Sequence, residues 1–150
     1  MKVYFYKFTI FFLLLTGMIA CIKEKERCEP FSLIAQGTQG SGTLINRNLV
    51  IKEQEEWGNL INNLSENVKN SFHETEIDFD NYQIIAVFDN VRNFGYWKIE
   101  VMCITECSDK ITVNVKAYSS GGAASPQIIS YPYHIIKIPA STKRIEFKHG

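Results

Sequence analysis

The chain has 150 residues, 16 basic and 16 acidic side chains, and an apolar share of 45%. That length suits one ordinary domain with interior enough to fold without staples. The charges cancel, and no segment interleaves a basic stripe with aromatics, so nucleic acid is not an expected partner.

The chain opens with Lys2 and Lys7, continues through a mostly apolar run from Phe8 to Ile19, and closes that run with Met18-Ile19-Ala20-Cys21. A membrane-spanning helix needs about 20 apolar residues. This run is shorter and is followed at once by Lys23-Glu24-Lys25-Glu26-Arg27, so a span is not expected. The arrangement resembles a bacterial lipoprotein signal peptide with its lipobox. Ala20 is small enough for a signal peptidase cleft, while Met18 replaces the leucine usual at its position. The resemblance implies removal of residues 1–20 and a diacylglycerol on the Cys21 thiol. It also implies a mature chain of 130 residues, lipid-anchored in the cell envelope. Ile22 is not the aspartate that retains lipoproteins at an inner membrane, which points to the outer membrane, on its periplasmic or surface face.

With Cys21 acylated, Cys28, Cys103 and Cys107 remain, and three thiols form at most one intramolecular bridge. Export permits a disulfide. The expected pair is Cys103 with Cys107, close in sequence near a hairpin end, provided their Cα atoms lie within about 7 Å.

Residues 21–30 are charged, lack apolar periodicity and end at Pro30, so they read as a flexible tether before a single domain over residues 31–150. Phe31 to Ala35 is a strand candidate. Gly37-Thr38-Gln39-Gly40-Ser41-Gly42 follows as a turn, without the Gly-Lys-Ser/Thr ending of a phosphate loop. Leu49-Val50-Ile51 suits a second strand. Trp57, Leu60, Ile61 and Leu64 then fall at i, i+3, i+4 and i+7, one apolar face of a helix. Glu53, Glu55 and Glu56 crowd its first turn, where the helix dipole favours carboxylates, so this cluster reads as a solvated helix start. Lys52 is a poor N-cap, and Gly58 weakens the interior by up to about 1 kcal/mol relative to alanine.

Ser65 to Asp80 is polar and irregular. Gln83 to Phe88 is a continuous apolar run suited to a strand covered on both faces. From Tyr96 to Ile104 the pattern alternates, with Trp97, Ile99, Val101 and Cys103 on one face. Ile111, Val113 and Val115 repeat the alternation after a Ser108-Asp109 turn, which makes a hairpin. A Gly/Ser loop from Ser119 to Pro126 leads to a strand from Tyr133 to Ile138, bounded by Pro132 and Pro139 where proline costs no ladder bond. Ile145 and Phe147 mark a last strand. The expected fold is α+β, a largely antiparallel β-sheet with one covering amphipathic helix.

Asn93-Phe94-Gly95-Tyr96-Trp97-Lys98-Ile99-Glu100-Val101, the hairpin, the Gly/Ser/Pro loop and Tyr131-Pro132-Tyr133-His134-Ile135-Ile136-Lys137-Ile138-Pro139 together resemble the PrcB C-terminal domain family. That family is named for a lipoprotein that associates with and stabilises a chymotrypsin-like protease complex. Gly95, Tyr96, Pro132, Tyr133, His134 and Pro139 carry the motif, and the resemblance covers about residues 82–139. Asn93-Phe94 departs from the glycine-rich approach common before Gly95. The resemblance implies a lipid-anchored, non-catalytic module that binds an envelope protease or another envelope protein. A direct protease inhibitor is the alternative. Loops on a rigid sheet commonly carry recognition, so the expected contact residues are Asn93, Phe94, Ser119, Ser120, Gly121, Gly122, Ser125 and Pro126.

Alternation places His134 with Ile136 and Ile138, which suits a core histidine with a satisfied hydrogen bond. The chain has no Gly-x-Ser-x-Gly elbow, and its other histidines, His73 and His149, lie in an irregular stretch and near the terminus. No enzyme activity and no cofactor are expected. A further alternative is a metal- or thiol-dependent site using Cys103, Cys107 and His134, although structural zinc takes four ligands and no fourth is evident.

Overall fold

Two strands with apolar residues at nearly every position dominate the centre of the molecule, β3 (Tyr82–Phe88) and β6 (Tyr133–Pro139). A computed structural model describes residues 27–93, 96–119 and 127–150. β3 and β6 pair antiparallel and are flanked by β1 (Ser32–Gly37) on β6 and β2 (Arg47–Ile51) on β3, giving a four-stranded antiparallel sheet in the order β1-β6-β3-β2. A second sheet has the order β4-β5-β7, from β4 (Trp97–Glu106), β5 (Lys110–Ser119) and β7 (Arg144–His149). β4 and β5 form the expected hairpin, whereas β5 and β7 run parallel. The parallel pair arises because the chain enters β7 from the first sheet, through β6, rather than by a hairpin from β5.

The first sheet is covered on both faces, which is why its central strands tolerate no polar alternation. Ile85, Val87, Ile136 and Ile138 meet Ile99, Val101, Ile104, Val113 and Val115 of the second sheet. The opposite face, with Ile34, Ile84, Ala86, Tyr133 and Ile135, packs against Trp57, Leu60, Leu64 and Val68. Trp57 and Leu60 come from α1 (Gln54–Asn62), Val68 from α2 (Glu66–Lys69) and Leu64 from the link between them, so the cover on this face is two short helices rather than one. The stretch expected to be irregular supplies α2 and also Phe72, which stacks on the Trp57 ring at 5.5 Å, while Trp57 Nε1 donates to the Thr75 carbonyl at 3.0 Å. At the start of α1, Glu56 Oε2 accepts the Lys52 N–H at 3.1 Å, which ties the entering chain to the helix.

Two bulges adjust which residues face inward. One between Leu33 and Ala35 of β1 lets adjacent Ile34 and Ala35 both join the helix-side core. The other, between Val101 and Cys103 of β4, turns Met102 outward and brings Ile104 to the core in place of Cys103. The expected alternation is therefore corrected: Ile99, Val101 and Ile104 are the buried residues of β4.

That phase change bears on the disulfide. Cys103 is bonded to Cys28, with Cα atoms 5.1 Å apart, and not to Cys107. Four residues along an extended strand span about 13 Å, beyond the roughly 7 Å that a bridge can close. Beside the disulfide, Glu29 N–H donates to the Ile104 carbonyl at 2.8 Å. Cys28 and Glu29 thus belong to the folded unit, and residues 28–30 are not part of a loose tether. No helix among the described residues is long and apolar enough to cross a membrane.

Candidate functional site

The loops that follow β3, precede β6 and follow β1 meet at one end of the first sheet. Asp89 N–H donates to the Pro132 carbonyl at 2.9 Å, and Arg92 and Ser130 exchange backbone bonds of 3.0 and 2.8 Å. On the other side Tyr131 N–H donates to Thr38 O at 2.9 Å, and Gly40 N–H donates to Tyr131 O at 2.8 Å. Residues 130–132 are therefore a short extension of the sheet, paired on both edges. Gly37 and Gly40 make this possible: a Cβ at Gly37 would stand 2.9 Å from Tyr133 Cε1, and one at Gly40 would stand 2.7 Å from the Tyr131 carbonyl.

A side-chain pair holds the outer loop. The Arg92 guanidinium donates two hydrogen bonds to the Asp89 carboxylate, at 2.8 and 3.0 Å, and its carbon lies 4.2 Å from the Trp97 ring centroid. Asp89 is buried, so the fork geometry of arginine offsets the cost of keeping a carboxylate there. Trp97 in turn pairs with Ser119 across the β4–β5 ladder. Asn93, next to Arg92, and Ser119 are both exposed and flank this Asp89-Arg92-Trp97 unit. The structure thus brings together the two predicted contact residues that it describes. Phe94, Gly95, Ser120, Gly121, Gly122, Ser125 and Pro126 lie outside the described residues, as does Cys21.

In the segments next to Arg92, Trp97 and Ser130, Val91, Tyr96, Ile128 and Ile129 expose apolar surface, Ile129 to 57% and Tyr96 to 53%. Of these, Tyr96 is a motif residue, whereas the sequence pattern does not single out Val91, Ile128, Ile129, Asp89 or Arg92. An Ile128-Ile129 dyad beyond the start of a strand, and an Asp and Arg three residues apart after a strand end, were the available signals.

Of the motif residues, Tyr133 is buried, stacks with Phe88 at 6.4 Å and places its hydroxyl 3.1 Å from Ser71 Oγ. His134 points to the other face, between the sheets. Its Nδ1 accepts the Val101 N–H at 2.8 Å, an amide on the open edge of β4, and the Phe31 ring meets the imidazole edge-on at 6.4 Å. A nitrogen that accepts an amide proton is unprotonated, so the imidazole is held neutral with its proton on Nε2. Burial pushes its pKa below the ordinary value, opposed by the charge of Glu100. His134 therefore links the two sheets.

That geometry corrects the metal or thiol set. Cys103 sulfur is committed to Cys28, and His134 Nδ1 to Val101, so Cys103, Cys107 and His134 do not form a ligand cluster. Among the described residues no group of three His, Cys, Asp or Glu side chains is placed to hold a metal ion.

Among the described residues the fold is layered α+β: two short helices, a four-stranded sheet and a three-stranded sheet. No family model, curated protein or solved structure matches the chain.

Proposed function

We propose that this chain is a lipid-anchored, exported accessory protein resembling the PrcB C-terminal family, and that it works as a non-catalytic module binding an envelope protease or another envelope protein. The observation that carries this is the exposure of the apolar side chains Val91, Tyr96, Ile128 and Ile129. They lie in segments that include Asn93 and adjoin the Trp97–Ser119 pair, and the Asp89-Arg92 pair and the Ser130 to Pro132 bonds hold those segments. Exposed apolar groups on a rigid support are what a protein partner covers.

The disulfide adds a geometric argument. Cys21 precedes Cys28 by seven residues, a reach of at most about 25 Å. A lipid on Cys21 keeps the Cys103 part of β4 near the membrane, whereas the recognition segment adjoins Trp97, about 20 Å back along that strand. The lipid attachment and the recognition segment thus lie at separate places along β4. Localisation at the outer membrane follows the sequence around Cys21 and Ile22.

The test is affinity purification of the full-length lipidated protein, with an Ile129→Lys, Val91→Lys double variant in parallel. One envelope protein, a protease on the favoured reading, is expected to co-purify with the parent and to be lost from the variant. Equal recovery from both, or no partner from either, would sink the proposal. The recovered protease, assayed with and without the module, separates stabilisation from inhibition.

A further inference from the structure

The outward face of the second sheet contributes to neither apolar core. Ile99 and Val101 of β4, Ile111 and Val115 of β5, and Ile145 and Phe147 of β7 turn inward, so their neighbours along each strand point the other way. Those neighbours include five basic side chains, Lys98, Lys110, Lys116, Arg144 and Lys148, against two acidic ones, Glu100 and Glu146. The whole chain has 16 of each sign. The basic excess is therefore local to this face.

Contacts agree with that placement. Lys110 and Arg144 both pair with Glu146, at 2.8 and 2.5 Å, and Glu100 stands opposite Lys116 in the β4–β5 ladder. The Glu146 carboxyl is held below its ordinary range by the Lys110 hydrogen bond first, with Arg144 and Lys148 adding to it. Two carboxylates cannot balance five cations, and Lys98, Lys116 and Lys148 are exposed.

The far side of the molecule carries the opposite sign. Residues 52–80 supply both helices and the link to β3, and they hold eight acidic and two basic side chains. Leu64, Val68, Phe72 and Ile77 pack this segment on the first sheet, on the face turned away from the second sheet. Charge is thus separated across the layers, with acidic helices on one side and a basic sheet face on the other.

Two more features belong to the basic face. Met102, turned out by the β4 bulge, is 54% exposed. Cys103 lies beside the inward Ile104 and is bonded to Cys28, so the chain before residue 28 joins the fold at this sheet. By sequence that preceding stretch includes the apolar run from Phe8 to Ile19, which favours a bilayer over a soluble polyanion. Basic side chains around an exposed apolar one suit a plane of phosphates above an acyl layer.

We propose that the outward face of β4, β5 and β7 docks on an anionic phospholipid bilayer, with Lys98, Lys116 and Lys148 on lipid phosphates, Met102 at the headgroup boundary and the acidic helices turned away. The docking needs no lipid on Cys21. It gives the module an orientation on the membrane, which a single flexible anchor does not.

The test is flotation of the full chain with phosphatidylcholine vesicles and with vesicles of which roughly a third is phosphatidylglycerol. The apolar run near the start partitions onto both alike, so the contrast between them is what is read. Each basic side chain near an anionic surface adds about fivefold, so partition at low salt is expected to favour the anionic vesicles at least roughly tenfold. The contrast should shrink as salt rises. A Lys98→Gln, Lys116→Gln, Lys148→Gln variant should lose most of it, and a Lys52→Gln, Lys69→Gln variant on the helix layer should keep it. Amine acetylation on the anionic vesicles should spare Lys98, Lys116 and Lys148 while modifying Lys52 and Lys69. Equal partition onto both vesicles overturns the proposal. So does a contrast that the triple variant retains, which would assign it to the basic residues before Cys28, or protection of Lys52 and Lys69 instead. An unacylated Cys21, read by mass, would sink the lipid anchor and leave this contrast in place.

Discussion

His134 shows how one side chain can tie a residue's titration to the joining of two sheets. Its Nδ1 accepts the Val101 N–H, which requires the neutral ring, and burial lowers its pKa below the ordinary 6.5. The unfolded chain therefore takes up a proton at a higher pH than the folded one does. The stabilisation is fully present above about pH 6.5 and is lost as pH falls through the lower folded value. Denaturant unfolding followed from pH 8 to pH 5 is expected to show stability declining over that window. His134→Gln keeps an oxygen that can accept the Val101 amide but cannot titrate, so its profile should be flatter. An unchanged slope in that variant would remove His134 as the cause. The alternation in Tyr133 to Ile138 made the burial of this residue legible, but the partner was not legible, because Val101 is 33 residues away on another sheet.

At the scale of elements, α1 illustrates a local signal that packing completes. Trp57 and Leu60 are buried on the helix, and Leu64, beyond its last residue, is buried too. The expected apolar face is present, although the chain leaves α1 before the face ends. Gly58 has no neighbour within 4 Å of where a Cβ would stand, unlike Gly37 and Gly40. Gly58→Ala is therefore expected to stabilise the protein by about 0.5 to 1 kcal/mol, read as a shift in urea midpoint with unchanged slope. A destabilised variant would show that the α1 backbone needs glycine there. The strands teach the complementary lesson. β3 read as covered on both faces because every residue from Gln83 to Phe88 is buried, whereas the β4 bulge at Met102 left no mark in an alternating sequence. A bulge is one unpaired residue, decided by what lies opposite it in β5.

For the whole molecule, the Cys28–Cys103 bond closes a loop of 75 residues in sequence separation and joins the start of the folded chain to the edge of the second sheet. Cross-linking a loop of that length stabilises by about 4 kcal/mol through the unfolded state. The Cys28→Ser, Cys103→Ser double variant is expected to lose stability of that order in chemical denaturation. A loss well under 1 kcal/mol would mean that the Glu29 to Ile104 bond and the sheet already hold this edge. Sequence periodicity alone determined the strands, the apolar face of α1 and the largely antiparallel α+β class, because side-chain alternation and helical spacing are local records of which face is buried. Only the tertiary structure decided that the strands divide into two sheets, that β7 runs parallel to β5, that Cys28 rather than Cys107 meets Cys103, and that Asp89, Arg92, Trp97 and Ser130 gather at one end. Each of those depends on residues far apart in the chain becoming neighbours, and that is settled by which buried faces fit together.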